Sequence, residues 1–151
     1  MKFLNYDNSD FDNCLKLFDK NCPSFFALNE REDYIAFLQS NSSSYFVGIT
    51  DSVVVSAFGI IFEPRLLTGR LSWILVSPKY KNQGLGTKMM NLAKHIALEK
   101  RVFTIDIAAS HLSAPFFEQF GALTLKETKN GWGESMHKID MQLKLTQARV
   151  T

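Results

Sequence analysis

Residues 75–88 combine glycine and an apolar strand end in a way that suits phosphate binding. Leu75 and Val76 end an apolar run, Gly84 and Gly86 form a turn, and an amphipathic helix begins directly after Gly84. The first turn of a helix leaves backbone N–H groups unpaired and carries the positive end of the helix dipole. Glycine has no side chain to hold an anion away from these amides. The stretch therefore predicts a turn that binds phosphate groups.

The charge distribution favours an anionic ligand at the same place. Residues 1–63 contain nine acidic and four basic side chains, whereas residues 64–98 contain six basic and no acidic ones. Such a segment attracts anions, although it is also typical of a solvated basic helix face. The net charge of +2 is too small to indicate nucleic acid, and no helix-turn-helix or aromatic-basic pattern supports a nucleic-acid module. We therefore expect no nucleic-acid partner.

Two familiar phosphate loops do not fit the turn. A Walker loop requires Gly-Lys followed by Ser or Thr, but here Gly86 is followed by Thr87, Lys88 and Met89. A dinucleotide-binding turn that begins at Gly84 requires a third glycine where Met89 stands. The turn is therefore of another kind, or it is only a tight connection between a strand and a helix.

The elements that would position this turn follow from hydrophobic periodicity and from turn residues. Apolar residues at helical spacing and alternating or continuous β-branched runs predict a mixed α+β domain with the element order β-α-α-β-β-β-α-β-α-β-β. We expect Asn29 and Glu32 to form a capping box, Asp51-Ser52 to join a hairpin, and Ser113 to cap a short helix that Gly121 ends. The predicted strands are 2–6, 45–50, 53–62, 71–76, 102–108, 122–128 and 136–145, with helices after residue 10, over 30–39, from 85 and over 113–120, and a loop at 130–133.

Two sequence blocks resemble the GNAT superfamily of acetyl-CoA-dependent N-acetyltransferases. Residues 81–86, Lys-Asn-Gln-Gly-Leu-Gly, resemble its Arg/Gln-x-x-Gly-x-Gly/Ala signature, with Lys in the first place. About 30 residues later, residues 113–122 resemble its second block, a short helix that ends in an aromatic residue and glycine. The resemblance covers roughly residues 2–145. It implies a splayed mixed sheet of about seven strands with about four helices, in a single domain over residues 1–151.

The resemblance also implies a binding mode for acetyl-CoA. The acyl-pantetheine arm would lie between two diverging strands and pair with the backbone of Leu75 and Val76. Ser110, at the place of a frequent Asn, would contact the pantetheine amide, and Phe117 would lie beside the thioester. The backbone amides that would hold the pyrophosphate belong to Lys81, Asn82, Gln83, Gly84, Leu85, Gly86 and Thr87.

The sequence lacks two groups that the superfamily often uses for proton transfer. Phe117 stands where a proton-donating Tyr is frequent, and residues 71–76 contain no acid to serve as a strand base. His111 is the candidate catalytic residue, because an imidazole after the fifth long strand can act as acid or base near neutral pH. The alternative is a surface histidine. Less favoured candidates for the acceptor pocket are His137, Asp140, Trp73, Trp132, Asp106 and Glu63.

The expected reaction is transfer of an acetyl group to a small-molecule or peptide amine. The missing proton donors motivate one alternative, a non-catalytic acyl-CoA-binding regulatory domain. Cys14 and Cys22 have no metal spacing, so we expect no metal, and two cysteines without a signal peptide indicate the cytoplasm. No apolar run is long enough for a membrane span, and we expect a monomer or a homodimer.

Overall fold

The computed structural model describes residues 1–22, 26–40, 44–63, 65, 67–80 and 83–145. The predicted order of strands and helices is confirmed in full, with two added 3₁₀ turns at Asn8–Asp10 and Pro78–Tyr80. The elements are β1 (Lys2–Asn5), α1 (Phe11–Asn21), α2 (Glu30–Gln39), β2 (Tyr45–Thr50), β3 (Val53–Glu63), β4 (Thr68–Val76), α3 (Leu85–Glu99), β5 (Thr104–Ser110), α4 (Ala114–Glu118), β6 (Leu123–Gly133) and β7 (Met136–Lys144).

One mixed sheet of seven strands runs through the molecule in the order β1-β2-β3-β4-β5-β7-β6. The first four strands are antiparallel neighbours. Asp51 and Ser52 form the β2–β3 turn with φ of 51° and 65°, the left-handed conformation that the tightest hairpin turns require. Only β4 and β5 are parallel among the described strand pairs. The α+β class and the splayed sheet are therefore confirmed.

Helices cover both faces of the sheet. On one face, α1 and α2 bury Cys14, Phe18 and Tyr34 against β2, β3 and β4. On the other face, α3 buries Met89 and Met90 with residues of β3, β5 and β7. Both faces of the sheet can carry buried side chains, because successive residues of a strand point to opposite faces. No helix in the described ranges is long and apolar enough to cross a membrane.

Three local expectations were wrong. Asn29 precedes α2 but makes no side-chain cap; instead its Nδ2 donates to the carbonyl of Trp132 at 2.9 Å. Ser113 likewise makes no side-chain cap to α4, because its Oγ accepts the N–H of Ser110 at 3.0 Å. The expected loop at 130–133 belongs to β6, and the reversal lies one step later at residues 134–135. The causes differ: Asn29 has a partner distant in sequence, Ser113 has one three residues earlier, and the hairpin strand is longer than expected.

Candidate active site

The sheet opens between β4 and β5. These parallel strands pair at only two positions, Gly69 with Ile105 and Arg70 with Asp106. Beyond this point β4 continues over residues 71–76 and β5 over residues 107–110, with no ladder between those two described segments. Their facing backbone N–H and C=O groups still need partners. An extended ligand that enters the opening can supply them as an added strand does.

A backbone bulge bends β4 inside this opening. The β3–β4 register shifts between Ala57 and Gly59, and opposite this shift Trp73 adopts φ of +46°. A bulky side chain with positive φ is a strained conformation, typically costing about 1–3 kcal/mol, that needs surrounding contacts to hold it. The carbonyl of Trp73 is one point of support, because Tyr45 Oη donates to it at 2.7 Å.

A second tyrosine supports the first. Tyr34 Oη lies 2.9 Å from Tyr45 Oη. Because the Tyr45 hydroxyl already donates its proton to the carbonyl of Trp73, Tyr34 is the donor of this second bond. Burial raises the pKa of both phenols well above the ordinary value, so both hydroxyls keep their protons. The two residues therefore form a fixed chain of donors that ends on the bulge.

The glycine turn begins α3 at the same end of the opening. Gly84 has φ of +78°, and among the described residues no atom outside its chain neighbours lies within 4 Å of the position where its Cβ would stand. Gly86 allows the ring of Phe116 to pack directly on the helix, since a Cβ there would lie 2.7 Å from that ring. The first-turn amides of α3 have no intrahelical acceptors, and among the described residues no side chain caps them. Such a helix start can bind an anion, while the predicted ligands Lys81 and Asn82 lie outside the described residues.

A cavity of about 770 Å³ joins these features. Its wall includes the glycine turn, both open strand segments, the end of α1, the start of α2 and the indole of Trp132. The volume is within the range typical of small-molecule and cofactor sites. In the described residues, no group of three or more His, Cys, Asp or Glu side chains is arranged to hold a metal ion.

Comparison with known proteins identifies the architecture. The sequence profile of the acetyltransferase (GNAT) family matches residues 14–122, more than half of the chain. The chain belongs to the GNAT family. It is therefore an acyltransferase. No curated protein matches the chain by sequence at a significant level.

Several solved structures share the fold at low sequence identity. Ard1 from Thermoplasma volcanium superposes with a TM-score of 0.80 at 11% identity, covering 97% of this chain and 98% of that one. The ribosomal-protein-S18-alanine N-acetyltransferase from Escherichia coli gives 0.77 at 14% identity, covering 99% and 97%. An aminoglycoside 6'-N-acetyltransferase complexed with coenzyme A gives 0.75 at 13% identity, covering 99% of both chains. At these identities the likeness shows a common fold.

The residues expected from the second GNAT block lie at the cavity, but they offer little acid–base chemistry. Phe117 is buried and lines the cavity, and its ring has no proton to give. Ser110 also lines the cavity, but it shares a closed exchange of hydrogen bonds with Ser113: each backbone N–H donates to the other's Oγ, at 3.0 and 3.1 Å. Val76 lines the cavity as well, and its carbonyl accepts a bond from Asn21 Nδ2 at 3.1 Å. The side chain of Leu75 is buried under α1 and α2.

His111 is not among the side chains that line the cavity. Its Nδ1 accepts the backbone N–H of His137 at 3.1 Å, and the two imidazole rings contact each other with centroids 4.6 Å apart and an interplanar angle of 43°. The Nδ1 of His137 in turn accepts the N–H of Asn130 at 3.0 Å. These bonds attach the β6–β7 hairpin to the end of β5. The structure therefore gives both imidazoles a structural contact outside the cavity wall.

The remaining candidates divide between the cavity and the surface. Trp73 and Trp132 both line the cavity, and the indole N–H of Trp132 donates to the carbonyl of Ala109 at 2.9 Å. Three carboxylates meet local partners instead: Asp140 lies 3.8 Å from Lys138, Asp106 accepts from Gln142, and Glu63 accepts from the N–H of Arg65.

Glu30 is the acid that the sequence analysis missed. It begins α2, lines the cavity, and is 5% exposed. Its Oε2 accepts the N–H of Ala27 at 2.8 Å, and no described ion pair involves it. Burial raises the pKa of the Glu30 carboxyl to about 7, although the bond from Ala27 acts in the opposite direction. A buried carboxyl with such a pKa is a typical group for proton transfer at neutral pH.

A signal for Glu30 was present in the sequence. Glu30, Tyr34 and Leu38 are the buried residues of α2, and they follow one another at intervals of four. An acid on the apolar face of a helix is unusual, since carboxylates are rarely buried without a partner. The expected capping box drew on Asn29 and Glu32 instead, and it gave Glu30 no role. The cavity residues Asn21, Phe26 and Phe37 had no comparable signal.

Proposed function

We propose that this GNAT chain is an N-acetyltransferase that moves an acetyl group from acetyl-CoA to a primary amine by direct attack. One observation supports this best: a single cavity connects the glycine turn of α3, the open edges of β4 and β5, and the buried carboxyl of Glu30. An anion site, a place for an extended thioester arm and a proton acceptor are the parts that acyl transfer to an amine requires.

The residues present fit acetyl-CoA. None of the described residues outside its chain neighbours fills the space beside Gly84, and a pyrophosphate there would meet the amides of Leu85, Gly86 and Thr87 at the positive end of α3. Lys88 adds positive charge one turn into the same helix. The backbone of residues 71–76 and 107–110 can pair with the amides of a pantetheine arm. Bound acetyl-CoA supplies an activated acetyl group on sulfur.

The chain's own contribution is then positioning and proton removal. The bulge at Trp73, fixed by Tyr45, holds the backbone of β4 in one conformation at the place where the strands have parted. Phe117 and Phe116 supply apolar walls that exclude water, which strengthens electrostatic effects inside the cavity. Holding the two reactants in line can raise the reaction rate by several orders of magnitude without a covalent enzyme intermediate.

The experiment has two parts. Titration calorimetry with coenzyme A and acetyl-CoA measures binding, and release of free thiol with a panel of primary amines measures transfer. We expect both compounds to bind and thiol to be released with at least one amine. The matched pair Gly84→Ala and Gly121→Ala controls the binding part, because both glycines have positive φ but only Gly84 lines the cavity.

The outcomes separate the alternatives. Binding without thiol release from any amine would leave the non-catalytic acyl-CoA-binding domain as the better proposal, and absence of binding would exclude both. The acceptors named for similar GNAT proteins include an aminoglycoside and a ribosomal-protein alanine. A fold that serves such different amines does not itself select one for this chain.

A further inference from the structure

The cavity wall has an unusual charge inventory. Among its described residues Glu30 is the only acid and Arg70 is the only base. Arg70 lies at the point where β4 and β5 separate, and it is exposed to solvent. Glu30 lies at the start of α2 and is buried. Glu30 is thus the one buried charged group among the described residues of the wall, and it is suited to one positive charge on a ligand, since buried charges require partners.

Three aromatic residues line the same cavity as this carboxyl. Phe26 stacks on Trp73 with ring centroids 6.1 Å apart and an interplanar angle of 21°. Phe37 lies 6.3 Å from the same indole, two helical turns along α2 from Glu30. All three rings line the cavity. Aromatic walls bind flat or apolar groups, and their faces attract cations.

The other side of this region is closed by the β6–β7 hairpin. Asn29 Nδ2 donates to the carbonyl of Trp132, and the Trp132 indole donates to Ala109. A Cβ on Gly133 would lie 2.9 Å from the Cβ of Ala27, so the hairpin and the segment before α2 are in direct contact. The hairpin that carries the cavity residue Trp132 is therefore attached to the segment that precedes Glu30.

Resting on the proposed function, we infer that the acceptor is a primary amine with a single positive charge on an aromatic or bulky apolar body. Glu30 binds the ammonium group, and Phe26, Phe37 and Trp73 bind the body. A polycationic acceptor would bring several charges to a wall in which the described residues offer one carboxylate. A simple short-chain amine would leave the three rings without contact.

The chemistry balances with Glu30 as the base. Its carboxylate takes one proton from the ammonium group, which leaves a neutral amine with a free electron pair, and this proton later passes to solvent. The amine nitrogen forms a bond to the acetyl carbon as the carbon–sulfur bond breaks with its electron pair going to sulfur. The nitrogen loses a second proton, and the sulfur gains one to leave as the thiol. The products are an amide, coenzyme A and one proton.

Glu30 also has a structural contact, and the test must separate the two roles. Its Oε2 accepts the N–H of Ala27. The variant Glu30→Gln keeps a carbonyl oxygen for this bond and removes the charge. Glu32→Gln makes the same chemical change on the same helix at an exposed position, and it is the matched control.

The probe is tryptophan fluorescence, because the chain has two Trp residues, Trp73 and Trp132, and both line the cavity. With coenzyme A present, we expect 2-phenylethylamine to bind wild-type protein and Glu32→Gln equally, and to bind Glu30→Gln about tenfold or more weakly. The uncharged 2-phenylethanol should not distinguish the three proteins. Ethylamine and a polycationic aminoglycoside should bind wild-type protein more weakly than 2-phenylethylamine does.

Two results would overturn the inference: equal affinity of 2-phenylethylamine for wild-type protein and Glu30→Gln, or stronger binding of ethylamine or the aminoglycoside. Because the readout is binding, it decides the acceptor class even if thiol release fails. Thiol release with other amines but not with 2-phenylethylamine would leave the proposed function standing and remove this acceptor class. The two failures are therefore distinguishable.

Discussion

The two ends of the cavity differ in the groups that line them: backbone groups at one end and side chains at the other. At the α3 end the chain offers backbone: Gly84 and Gly86 have no side chains, and the amides of the first helical turn are the proposed ligands. At the α2 end it offers side chains, with Glu30, Phe26 and Trp73 arriving from separate segments. Backbone ligands suit a group that does not vary, whereas side chains can be exchanged without changing the fold. This division suits an enzyme with one constant and one variable substrate.

The largest expected effect is on stability at the side-chain end. The folded-state pKa of Glu30 is raised from 4.5 to about 7, so the folded protein disfavours the ionised carboxylate. Wild-type stability is therefore fully present below the unfolded-state pKa and is lost as the pH rises through about 7. Glu30→Gln does not titrate. It should be more stable than wild type at about pH 8 by on the order of 2 kcal/mol, and similar at about pH 5.

Thermal unfolding at the two pH values measures this difference. A gain of on the order of 2 kcal/mol corresponds to roughly 5 °C in Tm for a chain of this length. Glu32→Gln, which changes an exposed acid, should show no such dependence on pH. If Glu30→Gln were equally stable relative to wild type at both values, the carboxyl would not be desolvated in solution. The α2 end of the cavity would then lose the buried charge that distinguishes it from the α3 end.

The second effect tests the backbone end. Gly84→Ala adds a Cβ beside the turn and strains a φ of +78°, and we expect affinity for acetyl-CoA to fall about tenfold. Gly121→Ala has a similar strain, with φ of +95°, and its new Cβ would lie 3.8 Å from the side chain of Leu143. It should lose stability but not affinity. Calorimetry that showed equal loss of affinity in both variants would mean that strain alone, and not contact with the ligand, explains the effect.

A third effect belongs to the bulge between the two ends. Tyr45→Phe removes the donor to the carbonyl of Trp73, and we expect a loss of about 1 kcal/mol in stability together with a lower kcat. Tyr34→Phe removes the outer donor of the chain and leaves the bond to Trp73 in place, so it should lower stability with little change in kcat. Urea unfolding and thiol release measured on both variants check this. A kcat unchanged in Tyr45→Phe would show that the bulge holds its geometry without the phenol.

The division between backbone and side chains also explains what could be predicted from the sequence. The glycine turn is contiguous and has a fixed spacing, so its place at the start of α3 and the order of all strands and helices followed from local patterns. The α2 end depends on contacts between residues distant in sequence, such as that of Asn29 with Trp132, which are more than 100 residues apart. Local rules assigned Asn29 to a helix cap because they contain no information about such partners. Glu30 was missed for a related reason, since helix-capping acids are common and its burial depends on the packing of α2.

The smallest expected effect concerns His111, the base that the sequence analysis favoured. Its Nδ1 is used by the N–H of His137, and its side chain is not part of the cavity wall. His111→Ala should therefore keep kcat/KM within about twofold of wild type while losing about 1 kcal/mol of stability with its hydrogen bond. His95→Ala, at an exposed position on α3, controls for loss of an imidazole elsewhere. A large fall in kcat with unchanged Tm would place the proton acceptor at the hairpin instead of α2, and the assignment of Glu30 as the base would be wrong.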